Sequence, residues 1–129
     1  MRYTLGKKEK LKSSKLIEQL FKEGKRINSN GIQLIYLKAE HGGDFPVKVG
    51  FSVPKRQTKL AVDRNRLKRK MREAYRKNKY GFVDNISKQF IFMFIYTSKE
   101  EISYHNIEEI FLKIQSKFVA KNKENETQN

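Results

Sequence analysis

Apolar positions along the chain change period several times, and each change marks an element. In "SSKLIEQLFKEG" Leu16, Ile17, Leu20 and Phe21 recur at helical spacing. Ser13 or Ser14 is placed to cap the start of this helix and Gly24 to end it. "GIQLIYLKAE" and "FPVKVGFSVPK", separated by the turn-forming "HGGD", read as a β-hairpin. In its second strand Val47, Val49, Phe51 and Val53 share one face, which predicts a core side. Lys48, Gly50 and Ser52 share the other, a face of small or polar groups open to a helix or a ligand. A short extra strand fits around residues 26–28. Over residues 60–79 the period is helical again, "GFVDNISKQ" reads as a loop, and "FIFMFIY" is apolar on both faces, as a central strand must be. "SYHNIEEIFLKIQSKFVAK" predicts a closing helix with Ile107, Ile110, Phe111, Ile114 and Phe118 as its stripe.

Helix, strands, helix, strand, helix is the order of a two-layer α+β domain with a mainly antiparallel four-stranded sheet and three helices. The expected organisation is a mobile basic arm over residues 1–12, a single α+β domain over 13–121, and a polar disordered tail over 122–129. On the late strand Phe90, Phe92, Phe94 and Tyr96 alternate and could imitate an RNA-stacking sheet. Ile91, Met93 and Ile95 make its other face apolar as well, which favours a core role.

Charge changes the picture. Lys and Arg number 29 against 14 Asp and Glu, a formal net charge of +15 on 129 residues. Solubility asks for a magnitude of roughly 2 to 8 in a small domain. So large an excess points to a polyanion, nucleic acid being the commonest. The excess is lopsided: residues 1–80 carry 23 basic and seven acidic side chains, residues 81–129 six and seven. The binding surface is therefore expected in the first two thirds of the chain. There is no cysteine, hence no disulfide framework or thiolate metal site. The basic N-terminus lacks the apolar stretch of a signal peptide, and the longest apolar run is far short of the roughly 20 residues that span a bilayer. A soluble, cytoplasmic protein is the expectation.

The charge concentrates in "RNRLKRKMR", residues 64–72. On a helical wheel Leu67, Met71, Ala74 and Tyr75 cluster on one side, the side that packs on a sheet. Asn65, Arg69, Arg72 and Arg76 fall opposite, flanked by Lys68 and Lys79. Like charges at this spacing repel by a few tenths of a kcal/mol each, so an ordinary solvated face mixes its signs. A bound polyanion would offset the repulsion. Arginines suit bidentate phosphate contacts, and Asn65 offers a neutral donor and acceptor to a base edge or ribose. A membrane-surface helix fits less well, since the apolar side is modest and lacks Trp or Phe anchors.

The stretch from Val47 to Arg76, "VKVGFSVPKRQTKLAVDRNRLKRKMREAYR", resembles the protein subunit of bacterial ribonuclease P. That family carries a G-(F/L)-(S/T)-V-x-K strand, a short loop, and R-N-R-x-K-R-x-x-R-E on a helix. Here these are Gly50 to Lys55 and Arg64 to Glu73. The resemblance covers about residues 10–120. It implies a ribosomal-protein-like α+β fold with a left-handed β-α-β crossover. It also implies an endoribonuclease role: with a catalytic RNA, the protein helps remove the 5′ leader from precursor tRNA. By the same resemblance, Arg64, Asn65, Arg66, Lys68, Arg69, Arg72 and Arg76 would face the RNA subunit. Ile17, Phe21, Tyr36, Ser52 and Lys55 would line a cleft for the single-stranded leader. Ile17 stands where many members have Phe. The spacing alone leaves Phe21 and Tyr36 open to either a core or a stacking role.

For chemistry on the polypeptide itself the sequence offers little. The carboxylates form no obvious pair, and His41 and His105 lie in unrelated segments, one in a turn and one near a helix start. No metal-ligand spacing and no phosphate-cradling glycine loop is present. The resemblance implies that catalytic Mg2+ is held by the RNA partner and that this chain supplies no catalytic side chain. The expected partners are ribonuclease P RNA and precursor tRNA, with no membrane and no DNA, since no helix-turn-helix pair is found. A structural ribosomal-RNA-binding protein is the alternative.

Overall fold

In the computed structural model, which describes residues 6–56 and 58–127 with side chains to residue 123, strand pairing departs from the expected hairpin. The sheet has the order β1-β2-β4-β3, built from β1 (Lys25–Ser29), β2 (Ile32–Lys38), β3 (Val47–Ser52) and β4 (Phe90–Tyr96). The strands β2 and β3, read from sequence as a hairpin, do not pair. Instead β4 lies between them, antiparallel to β2 and parallel to β3. The cause is the double-sided apolar character of β4, which is buried only with a strand on each edge and a layer on each face. The true hairpin is β1–β2, closed by Asn30 and Gly31 with φ of 41° and 98°. An Asn-Gly pair adopts these left-handed values readily and so sets a two-residue turn. The segment between β2 and β3 is a crossing loop held by Gln89. Its carbonyl accepts the His41 N–H at 3.0 Å and the Gly42 N–H at 3.2 Å, and its amide donates to the Gly43 carbonyl at 2.9 Å.

Four helices cover the sheet: α1 (Ser14–Glu23), α2 (Ala61–Asn78), α3 (Tyr80–Val83) and α4 (Tyr104–Thr127). The larger core lies under α2, α3 and α4, where Phe90, Phe92, Phe94 and Tyr96 are all buried with Tyr75, Phe82, Phe111 and Phe118. The Phe94 and Phe111 rings stack at 4.4 Å. These strand aromatics are core, not an open stacking platform. On the opposite face α1 seals a smaller core of Leu11, Leu20, Ile35, Ile91 and Met93. Ser13 caps α1, its hydroxyl accepting the Leu16 N–H at 3.3 Å. Gly24 ends the helix by close approach: a Cβ there would stand 2.4 Å from the Leu20 carbonyl and 2.6 Å from Ile35.

Three expectations about the ends and loops need correction. Residues 6–12, expected in a mobile arm, are packed. A 3-10 turn over Lys7–Glu9 leads into a bridge between Lys10 and Val49, and both Glu9 and Leu11 are buried. The "GFVDNISKQ" loop begins inside α3, where Phe82 is fully buried among the core rings. The polar tail from residue 122 continues α4 to Thr127, and Asn122 is buried with its amide donating to the Asn85 carbonyl at 3.0 Å. Residues 1–5 of the expected arm and 128–129 of the expected tail lie outside the described residues. Among the described residues no helix is long and apolar enough to cross a membrane.

Candidate nucleic-acid interface

Helix α2 presents the arginine run as the wheel predicts. Leu67, Met71, Ala74 and Tyr75 are buried against the sheet, while Asn65, Arg69 and Arg72 are exposed. Partners divide the stripe into two groups. Arg64 donates to the Thr58 and Lys59 carbonyls at 3.0 and 2.7 Å, tying the preceding loop to the helix start. Arg66 contacts Asp63 at 3.2 Å and Glu101 at 2.7 Å, and Lys70 reaches the same Glu101 at 3.5 Å. Arg76 makes a two-pronged contact with Glu73, whose carboxyl is held below the usual range by that hydrogen bond. Asn65, Lys68, Arg69 and Arg72 have no carboxylate partner among the described residues. Arg72 lies over the Phe51 ring, 5.9 Å from its centre, which aims the guanidinium along the helix surface.

Lys79, read as a flank of this stripe, is instead buried. Its ammonium binds Glu9 at 2.7 Å, with side chains only 4% and 8% exposed. Lys79 stands between α2 and α3, and its side chain is tied there to the N-terminal segment. The pairs on α2 are solvent-screened and therefore weak, so Arg66 and Arg76 can exchange a carboxylate for a phosphate at little cost.

The second expected site lies on the opposite face of the sheet. Register places Asn28 beside Gln33, Gln33 beside Ile95, and Ile95 beside Ser52. This row crosses the sheet on the α1 side. Next to it the row Arg26, Ile35, Met93 and Gly50 passes under α1, with Ile35 and Met93 buried. The Gln33 carbonyl accepts from Arg26 at 2.7 Å and its amide donates to Asn28 at 2.7 Å, so the row offers oriented polar groups. Ile17 is half-buried in the α1 core, Phe21 is 42% exposed on α1, Ser52 belongs to the row, and Lys55 is exposed in the turn after β3.

Tyr36 does not belong to this face. It points into the other core, 5% exposed, with its ring edge-on to Phe118 at 5.0 Å. The parity of β2 decides this, because Gln33, Ile35 and Leu37 face α1 while Leu34 and Tyr36 face α2 and α4. Asn28 and Gln33 were missed by sequence reasoning. The signal available was the same alternation in "IQLIYLK", once that strand is assigned its α1-facing side.

Each histidine is engaged by its own neighbourhood. The His41 Nδ1 accepts the Gly43 N–H at 3.1 Å, leaving Nε2 to donate to the Pro46 carbonyl at 3.3 Å. Burial, helped by Lys48, lowers its pKa against the effect of that Pro46 bond. His105 pairs on the surface with Glu109 at 3.1 Å. Among the described residues no three His, Cys, Asp or Glu side chains converge as metal ligands.

The ribonuclease P family model matches residues 5–119. The chain is 33% identical over 110 residues to the ribonuclease P protein component of Porphyromonas gingivalis, covering 82% of this chain and 80% of that protein. Against the same component of Borrelia hermsii it is 33% identical over 104 residues, 81% of this chain and 86% of the relative. The match to the Chlorobaculum tepidum component is 44% identical over 66 residues but spans only 43% of that protein, and the match to the Chlorobium phaeobacteroides component spans 54%. Among solved structures, the ribonuclease P protein from Thermotoga maritima superposes with a TM-score of 0.67 at 27% identity, over 84% of this chain and 96% of that one. The Staphylococcus aureus ribonuclease P protein shares the fold, with a TM-score of 0.66 at 19% identity over 88% and 96% of the two chains. An α+β sheet carrying an arginine stripe on one helix, matched over nearly its whole length in sequence and in fold, places this chain in the ribonuclease P protein family.

Proposed function

We propose that this chain is the protein subunit of a ribonuclease P ribonucleoprotein, binding the catalytic RNA and the 5′ leader of precursor tRNA so that the leader is removed. The observation that carries the reading is the open group on α2. Lys68, Arg69 and Arg72 stand on one helix without carboxylate partners, and Asn65 lies in line with them. Phosphates of a folded RNA would neutralise this repulsion and release counterions. The row Asn28, Gln33, Ile95 and Ser52 suits a single strand, with amides and a hydroxyl for base edges, and Phe21, partly exposed on α1, offers an aromatic face for stacking. Tyr36 takes no part in it.

In this reading Mg2+ is held by the RNA partner, where it would activate the attacking water. The residues of this chain bind, orient and neutralise, and a cytoplasmic location goes with that role. The test is a cleavage assay at low Mg2+ with precursor tRNA and a bacterial ribonuclease P RNA, with and without the protein. Correct 5′ maturation only with both present is expected. Absent stimulation by folded protein, together with a preference for ribosomal RNA in filter binding, would defeat the reading in favour of a structural ribosomal-RNA binder. Arg69→Ala with Arg72→Ala should weaken RNA-subunit binding and reduce the log–log salt slope by about 0.7 to 0.9 per lost contact.

A further inference from the structure

The N-terminal segment "KKEKLK", residues 7–12, has a pattern that the α2 stripe does not explain. Its four lysines, Lys7, Lys8, Lys10 and Lys12, are all exposed, and its two other residues, Glu9 and Leu11, are both buried. Glu9 binds Lys79 at the end of α2 at 2.7 Å. Leu11 enters the α1-side core, and its N–H donates to the Val49 carbonyl at 2.9 Å. The segment is thus anchored along the outer edge of β3, parallel to it, with Lys10 paired to Val49. Each anchor holds neighbouring cations close together against their mutual repulsion. Lys8 has Asp44 at 3.1 Å, whereas Lys10 and Lys12 have no carboxylate partner among the described residues.

Register shows where these two lysines lie. Leu11 is level with Gly50, and its Cβ is 3.8 Å from where a Gly50 Cβ would stand, so both are on the α1 side. Side chains alternate along an extended segment, so Lys10 and Lys12 fall on the α2 side. There Lys10 pairs with Val49, and the same register carried two residues on brings Lys12 level with Phe51, the residue whose ring lies beneath Arg72.

We infer that Lys10 and Lys12 form a second row of phosphate contacts beside the Arg69–Arg72 row of α2, so that the RNA subunit is gripped along two lines flanking the β3 edge. The inference rests on the proposed binding of the catalytic RNA and names a further part of the same interface. A single line of cations follows one strand, whereas two lines separated by a strand width also set the roll of the protein on its RNA. The buried anchors serve this purpose, since a tethered but mobile arm would have to be ordered on binding.

The test compares full-length protein, Lys10→Gln/Lys12→Gln, and the charge-matched control Lys113→Gln/Lys121→Gln from exposed positions of α4. Binding to labelled ribonuclease P RNA is followed by anisotropy across a KCl series. The expected result is a slope lowered by about 0.7 to 0.9 per lost contact in the first variant and unchanged in the control. Equal slopes for wild type and the first variant overturn the second row, as does an equal fall in both variants, which would report net charge alone. An effect seen only with leader-bearing substrate and not with the RNA subunit also overturns it. Wild-type protein that shows no preference for ribonuclease P RNA over a ribosomal fragment overturns the proposed function, and this assignment with it.

Discussion

Replacing Glu9 by Gln removes the anionic half of a buried pair that joins the N-terminal segment to the end of α2. The Lys79 ammonium and the Glu9 carboxylate lie 2.7 Å apart with side chains 4% and 8% exposed. Breaking such a buried pair by neutralising one member costs about 3 to 5 kcal/mol. One feature favours the lower end: the Tyr80 ring lies 5.4 Å from the Lys79 ammonium and still faces the charge. Glu9 also accepts the Gly6 N–H at 2.9 Å, and the single Gln carbonyl can serve that N–H or the ammonium but not both. With a urea slope of about 1 to 3 kcal/mol per molar, a loss of about 3 kcal/mol lowers the unfolding midpoint by about 1 to 3 M. The double variant Glu9→Gln/Lys79→Met removes both charges and should be more stable than Glu9→Gln alone, because the buried ammonium is removed together with its anion. Urea unfolding followed by circular dichroism measures both. A single-variant loss under about 1 kcal/mol, typical of an exposed pair, would refute the reasoning.

Three further outcomes follow from burial and packing. Gly24→Ala would drive a methyl group into the Leu20 carbonyl and Ile35, and should destabilise the α1 layer by about 1 to 3 kcal/mol, read as a lower Tm. Tyr36→Phe removes a buried hydroxyl that has no hydrogen-bond partner and should leave stability unchanged or raise it by up to about 1 kcal/mol; a loss larger than that in urea unfolding would show an active hydroxyl. Burial raises the pKa of Tyr36, Tyr75 and Tyr96 above the usual 10.0, so the unfolded chain loses these protons first. Their contribution is complete below pH 10 and is lost as pH rises above it, so the urea midpoint should fall on the alkaline side of pH 10 once other titrations are matched by Tyr→Phe controls.

The sequence by itself determined the helical faces, the core stripe of α4, the face assignment of β3 and the central place of "FIFMFIY". These follow from periodicity, which is a local property of residue spacing. The motif "RNRLKRKMR" likewise marked the helix that carries the cationic stripe, because its nine residues span about two and a half helical turns and need no distant contact to share a side. Tertiary structure alone decided the rest. Strand neighbours depend on which edges find partners, so β4 entered between β2 and β3 and no turn signal in "HGGD" could forbid it. Tyr36 fell on the opposite face from its expected cleft because one residue of register inverts a whole strand. Equally distant in sequence are Glu9 and Lys79, or Arg66 and Glu101. Which of these cations are paired and which stand open is set only in part by the local acids Asp63 and Glu73; Glu9 and Glu101 come from distant segments, and charge pairing across a fold leaves no periodic trace.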